Sequence, residues 1–342
     1  MGTSFKLGQH EIGGERTFII AEAGINHDGD IGRARELVEA AAETGVDAIK
    51  FQTHFAEDEM LASEASADYL KETLYDLMVR MELTLEQHVE LKELAESKGL
   101  TFLSTPFSRR AVDLLERVGI AGYKVGSGEL TNLPFLGYIA KTGKPMLIST
   151  GMSSFQEVER SVAFLKERGA ELAVFNCTSM YPTPPEKVRL PMITTFQESF
   201  GVPIGLSDHS ATNYSAFAAV ALGAKMVEKH FTVSREWPGP DQPSSIEPAE
   251  LKDLVEGIRS IEKALQLGQK DILPEEKPLT EIFREAVVAW TDIPEGATLT
   301  EENIWVKRPG KGIPASEYFT VLGKKTTKAF TKNEPLQADH LE

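Results

Sequence analysis

Two histidines close two short apolar runs, His209 in GLSDHS and His230 in VEKHFT. Neutral imidazole is a common ligand for Mn²⁺, Zn²⁺ or Fe²⁺. Two protein ligands leave positions for water and substrate, as Lewis-acid catalysis needs. A lone histidine at a strand end is more often just hydrogen-bonded in place, whereas two on adjacent strand ends point to a shared ion. Lys50 in VDAIKFQ and Lys124 in AGYKVGSGE also sit inside apolar runs. Lysine is almost never fully buried without a partner. Each must face a polar mouth, pair with a carboxylate or contact an anionic ligand. Ser127, Ser149 and Ser207 offer hydroxyl donors, and Gly126 and Gly128 allow close backbone approach. Composition weighs two readings equally: a phosphate or carboxylate pocket, or lysine–glutamate pairs with Glu22 or Glu129. Those carboxylates suit a general base or a water-positioning group, or they only neutralise the lysines. Both roles are compatible.

The elements that must hold these groups recur along the first 232 residues. Short apolar runs span 17–23, 46–52, 101–105, 121–127, 145–150, 171–178, 202–208 and 225–231. Continuous β-rich runs bounded by Gly and Pro read as buried parallel strands. Apolar residues at helical spacing separate them at 31–44, 85–97, 108–118, 155–168 and 213–222, with glycine close behind each. Strands alternating with helices predict a TIM-type (β/α)₈ barrel. An open doubly wound sheet is the runner-up, weakened because no GxGxxG follows the first strand. In such a barrel, catalytic groups sit at the C-terminal strand ends. Here those ends carry Glu22, Lys50 with Gln52, Thr105, Lys124 with Ser127 and Glu129, Ser149, Ser179, Ser207 with His209, and His230. So many converging on one mouth is hard to explain as structure alone.

Between the second and third runs, 54–83 breaks the rhythm. It holds HFAEDEM, with His54, Glu57, Asp58 and Glu59, and a helical stretch near 69–80. Connections this long are more often lids than turns, although a solvated acidic loop is at least as common. Cys177 has no histidine beside it in sequence and reads as a buried inert thiol. The barrel is expected over 1–267, closed by a helical pattern at 251–267. A Pro-, Gly- and charge-rich linker over 268–282 and a small β-rich domain over 283–342 follow.

The 342-residue chain carries a net charge of −16. So acidic a surface argues against nucleic acid or anionic membrane as partner. No apolar run is long enough to span a bilayer, and the first residues do not read as a secretory signal. A single cysteine suits a reducing cytoplasm.

The ordered motifs IAEAGINHDGD, KFQTH with EDEM, STPFS, YKVGSGE, STGM, CTSMYPTP, GLSDHS, EKHFT and PGPD resemble those of bacterial sialic acid synthases. The tail PEG…LT…NIWVKRPGKGI resembles their antifreeze-like (SAF) domain, so the likeness covers essentially the whole chain. The resemblance implies condensation of phosphoenolpyruvate with an N-acetylated hexosamine, typically N-acetylmannosamine, to give N-acetylneuraminate and phosphate. It implies Mn²⁺, or Mg²⁺ or Co²⁺, on His209 and His230. It assigns Lys50, Thr105, Lys124, Ser127, Ser149 and Ser207 to phosphoenolpyruvate. Glu22, Gln52, Glu129, Tyr181 and Asp241 fall to the sugar and the reacting water. It also implies a domain-swapped homodimer in which Arg308 reaches the partner's mouth, where its rigid fork suits sugar oxygens. Ser179 stands where some bacterial members carry Asn, and serine has a shorter reach. Synthesis of legionaminic or pseudaminic acid, or of a spore-coat sugar, is a competing reading. A non-catalytic carbohydrate-binding protein is a third, which the intact Glu22, Lys50, Lys124, His209 and His230 set argues against.

Overall fold

Alternation hidden inside the apolar runs builds the barrel. Successive strand residues point to opposite faces, so each run has a lumen face and an outer face. The computed structural model describes residues 4–62 and 72–342. Its strands are β1 Phe18–Gly24, β2 Ala48–Thr53, β3 Thr101–Pro106, β4 Tyr123–Val125, β5 Met146–Ser149, β6 Leu172–Cys177, β7 Ile204–Asp208 and β8 Met226–His230. They form one parallel sheet in the order β3-β2-β1-β8-β7-β6-β5-β4. The ring closes where β3 and β4 lie side by side. This is the TIM-type barrel expected, not an open doubly wound sheet.

The outer layer is α1 Ile31–Ala42, α2 Leu74–Met81, α3 Leu85–Ser97, α4 Arg109–Val118, α5 Leu133–Ala140, α6 Phe155–Lys166, α7 Met192–Phe200, α8 Tyr214–Ala221 and α9 Pro248–Ala264. Side chains satisfy the free N–H groups at their starts. Asp30 caps α1, Ser108 caps α4, and Thr84 with Gln87 and Ser154 with Glu157 form capping boxes on α3 and α6. Gly119 ends α4 at φ 76°, a left-handed turn that side chains disfavour. Periodicity did not mark α5 or α7. The first is apolar nearly all round and holds Pro134 and Gly137; the second holds Thr194 and Thr195. In the connection 54–83, a single turn, Ala56–Glu59, precedes α2. The helix expected near 69–80 begins at Leu74, capped by Thr73; its first expected residues lie outside the described ones.

Two cores hold the barrel. The larger packs outward strand residues against the helices. The smaller fills the lumen floor with Phe18, Ile20, Ala48, Leu103, Leu147, Phe175 and Met226. Into this floor an N-terminal hairpin, Phe5–Leu7 paired with His10–Ile12, inserts Phe5, Leu7 and Ile12. Sequence reading gave the first residues no structural part. Above the floor the lumen turns polar, because the same faces carry Glu22 above Ile20 and Lys50 above Ala48.

Contacts divide the chain into two units, Met1–Leu267 and Gly268–Glu342. In the second, helix α10 Lys277–Phe283 lies within and just beyond the stretch read as a linker. Strands β9 Ala286–Ala289 and β10 Ile304–Lys307 pair antiparallel. Val287, Ile293, Leu299, Ile304, Phe330 and Leu336 give this unit its own core. Among the described residues no helix is long and apolar enough to cross a membrane.

Leu7 is fully buried in the lumen floor. Leu7→Ala is expected to cost about 3 kcal/mol, read as a fall in the barrel's thermal or urea midpoint. An unchanged midpoint would show that the hairpin is not a plug.

Candidate active site

The polar lumen face converges at the C-terminal mouth. Lys50 Nζ lies 2.6 Å from Glu22 Oε2 and donates to Thr105 Oγ1 at 3.1 Å. Lys124 Nζ donates to Ser149 Oγ and, at 3.2 Å, to the Val125 carbonyl. Glu228 stands between the lysines, 3.8 Å from Lys50 Nζ and 3.6 Å from Lys124 Nζ, and accepts from Ser207 Oγ at 3.2 Å. All four charges are buried. Burial raises the Glu22 carboxyl above its ordinary range, with Lys50 pulling the other way. Burial also acts on Glu228, but the two lysines outweigh it and hold that carboxyl low. Lys124 is lowered by burial, against the pull of Glu228.

The lysine–glutamate pairing expected as one alternative is present for Lys50 with Glu22, and hydroxyls line both ammonium groups. Their pairing differs in one respect. Lys124 meets Glu228, not Glu129. Glu228 stands two residues before His230 on the same strand face, where the period-two alternation of VEKHFT points it into the mouth.

His209 and His230 are neighbours, with ring centroids 5.2 Å apart. His209 Nδ1 donates to the Thr178 carbonyl at 2.8 Å, and its ring also engages the Cys177 thiol. His230 Nδ1 is buried without a hydrogen-bond partner among the described residues; Asp241 Oδ2 is 3.6 Å away. Burial, reinforced by His209, keeps His230 neutral, its pKa well below the usual value. Tyr181 stacks on His209 at 4.2 Å and meets His230 edge-on. No group of three His, Cys, Asp or Glu able to hold a metal occurs among the described residues. Two imidazoles alone could hold an ion only with water or substrate completing its coordination.

Cys177 corrects the sequence reading. It is buried, but its thiol interacts with His209 and lies 3.6 Å from Ser127 Oγ. Burial pushes the thiol up, and His209, helped by Ser127 and Lys124, more than reverses it. The histidine comes from another strand, where sequence adjacency could not show it.

The loops complete the mouth. Gln52 donates to Glu22 Oε1 at 3.2 Å and accepts from His54 Nε2 at 2.9 Å. His54 Nδ1 meets Glu59 at 3.0 Å, and its ring stacks on Phe107. HFAEDEM therefore splits: His54 and Glu59 join the mouth, while Glu57 is exposed and Asp58 pairs with exposed Arg110. The Gly151 N–H donates to Ser127 Oγ at 3.0 Å. A Cβ on Gly151 would lie 2.2 Å from Ser179 Oγ and 2.7 Å from Ser127 Oγ. One on Gly126 would meet Glu129 Oε2 at 2.4 Å, whereas Gly128 faces open space. Arg308 lies in the second unit, exposed, its guanidinium over Phe283.

Residues 37–270 match the NeuB family, and 284–342 match the SAF domain. The chain belongs to the NeuB family. It is 40% identical to the N,N'-diacetyllegionaminic acid synthase of Campylobacter jejuni, over 94% of this chain and 98% of that one. It is 35% identical to the human N-acetylneuraminate-9-phosphate synthase, over 96% and 94% of the two chains. The crystal structure of the N-acetylneuraminic acid synthetase of Leptospira borgpetersenii aligns with a TM-score of 0.74 at 32% identity, over 82% of this NeuB chain and 96% of that one.

Glu129 offers a pH test. Burial lifts its carboxyl to about 7, with Glu59 adding to the shift. A carboxyl raised in the folded state costs stability that builds as pH rises from the unfolded value to the folded one and persists in full above it. Glu129→Gln is therefore expected to raise the melting temperature by about 2–4 °C at pH 8 and to change nothing at pH 4. An equal gain at both would refute the shift.

Proposed function

We propose that this NeuB-family chain condenses phosphoenolpyruvate with an N-acetylated hexosamine, yielding a nine-carbon 2-keto sugar acid and phosphate. One observation carries the reading: two buried, hydroxyl-lined lysines open on the same mouth as two adjacent histidines, of which His230 has a ring nitrogen without a hydrogen-bond partner among the described residues. Phosphoenolpyruvate is a small, highly charged anion. Lys50 and Lys124 hold it by charge; Thr105, Ser127, Ser149 and Ser207 orient it through hydrogen bonds. Tyr181, Gln52 and Asp241 border the space for the open-chain sugar, with Ser179 at its edge. His209 and His230 would hold a divalent ion, Mn²⁺ first and Mg²⁺ or Co²⁺ as alternatives. When bound, it supplies Lewis acidity toward an aldehyde oxygen.

The double-bond electrons of phosphoenolpyruvate attack the aldehyde carbon. A carbon–carbon bond forms, and positive charge develops at C2. Water adds there, giving its proton to a carboxylate. Glu129 is the better base, because Glu22 is tied to Lys50 at 2.6 Å whereas Glu129 Oε2 has no partner among the described residues. The C2 hydroxyl then passes its proton to the departing phosphate as the carbon–oxygen bond breaks, leaving the keto group. The former aldehyde oxygen, an alkoxide after the first step, takes up the proton that the carboxylate received from water.

N-acetylmannosamine, giving N-acetylneuraminate, is the sugar the sequence suggests. The higher identity to the legionaminic acid synthase, 40% against 35%, favours a diacetamido hexose as a second reading.

Phosphate release from phosphoenolpyruvate and Mn²⁺, scored over N-acetylated and diacetamido hexoses, is expected with one sugar class. No release with any of them by the folded protein would favour a carbohydrate-binding module. With the bridging oxygen labelled, label should leave in phosphate, and label in the sugar acid would refute the sequence of steps.

Arg308 is proposed to act on the sugar held by a second copy of the chain, in a swapped homodimer. Arg308→Ala and His230→Ala should each be severely impaired alone. Mixed under subunit exchange, they should regain activity, since one barrel then meets an intact Arg308. No recovery despite exchange would refute action across a dimer.

A further inference from the structure

Behind the histidines, on the outer face of the barrel wall, a second pair of charges is buried. Asp208 directly precedes His209, and Lys229 directly precedes His230. The two face each other across β7 and β8, where Lys229 pairs in register with Asp208. Alternation turns them away from the lumen that the histidines face. Neither side chain is exposed at all. The outward residues two positions earlier, Leu206 and Val227, belong to the apolar outer core. A charged pair in such a layer is rarely there for stability, because apolar residues of similar volume do as well or better.

Its contacts show what it holds. Lys229 Nζ lies 2.7 Å from Asp208 Oδ2, 2.7 Å from the Ser210 carbonyl and 2.9 Å from the Thr212 carbonyl. Its three protons are all used. Asp208 Oδ1 accepts from the Ser210 N–H at 2.9 Å. The backbone on both sides of His209 is thus clamped to the residue that precedes His230. The lumen side adds its own ties, from the Thr183 N–H to the His209 carbonyl and from the Ile246 N–H to the His230 carbonyl, both 2.8 Å.

We propose that the Asp208–Lys229 pair is a positioning device that fixes His209 and His230 at the separation a shared divalent ion requires. This rests on the reading that the two histidines hold such an ion. Neither Asp208 nor Lys229 touches the ion or the substrate. They act through the strand ends and the loop at 210–212.

Mn²⁺ binding to the metal-free full-length protein, measured by titration calorimetry alongside thermal unfolding, tests it. The wild type should bind Mn²⁺, and His230→Ala should not. The double variant Asp208→Asn/Lys229→Met removes one charge of each sign and keeps the acceptor for Ser210. It should unfold close to the wild-type temperature yet bind Mn²⁺ about 10–100-fold more weakly. Unchanged affinity in that folded variant overturns the positioning role, because a merely structural pair would move stability and leave affinity alone. Should the double variant not fold, Lys229→Arg keeps the charge but cannot place one nitrogen against all three oxygens. A several-fold weaker affinity at unchanged melting temperature supports the proposal, and unchanged affinity overturns it. A wild type whose Mn²⁺ binding is absent or indifferent to His230→Ala overturns the underlying ion reading, and the positioning role with it.

Discussion

Four buried charges at one barrel mouth, Lys50 and Lys124 against Glu22 and Glu228, set the terms for the rest of the molecule. An isolated ammonium or carboxylate taken from water into a protein interior costs several kcal/mol. These four are tolerated because each has an opposite charge within 4 Å and a further polar partner: a hydroxyl for Lys50, Lys124 and Glu228, and the Gln52 amide for Glu22. That requires four strands, β1, β2, β4 and β8, to be held in fixed register. The apolar floor of the lumen supplies the rigidity, and the N-terminal hairpin completes that floor. Packing at the bottom and electrostatics at the top are thus two halves of one arrangement.

The same alternation sorts chemistry between the two faces of β7 and β8. Inward lie Ser207, His209, Glu228 and His230. Outward lie Leu206, Val227 and the Asp208–Lys229 pair. Inward groups have free valences among the described residues: a histidine nitrogen without a partner, a carboxylate oxygen without a donor. The outward pair has none. A site that must accept a ligand needs unsatisfied groups, and these persist only where neighbours are satisfied and rigid.

Kinship with the NeuB family narrows the chemistry more than it narrows the sugar. The lysines and histidines, proposed to hold the anionic substrate and an ion, lie on the barrel strands or directly at their ends. Most of the groups proposed to border the sugar are on loops, Ser179 and Tyr181 after β6 and Asp241 after β8, with Gln52 near the end of β2. Loops diverge without disturbing the barrel, and relatives at 34–40% identity carry names for different sugar acids.

The sequence by itself determined the architecture and most of the mouth. Eight apolar runs with polar ends are legible because a barrel strand must be apolar where it is buried and reactive where it opens. His209, His230, Lys50, Lys124 and Glu22 could all be read from strand ends. The missed helices, α5 and α7, lacked a clear apolar stripe, and the hairpin plug was too short to show a period. Pairing was decided only by the tertiary structure. Lys124 meets Glu228 rather than Glu129, Cys177 meets His209, and Asp208 meets Lys229, each across strands or loops distant in sequence. Residue type tells that a buried charge needs a partner. Which partner it finds depends on the strand register and side-chain direction that closure of the barrel imposes.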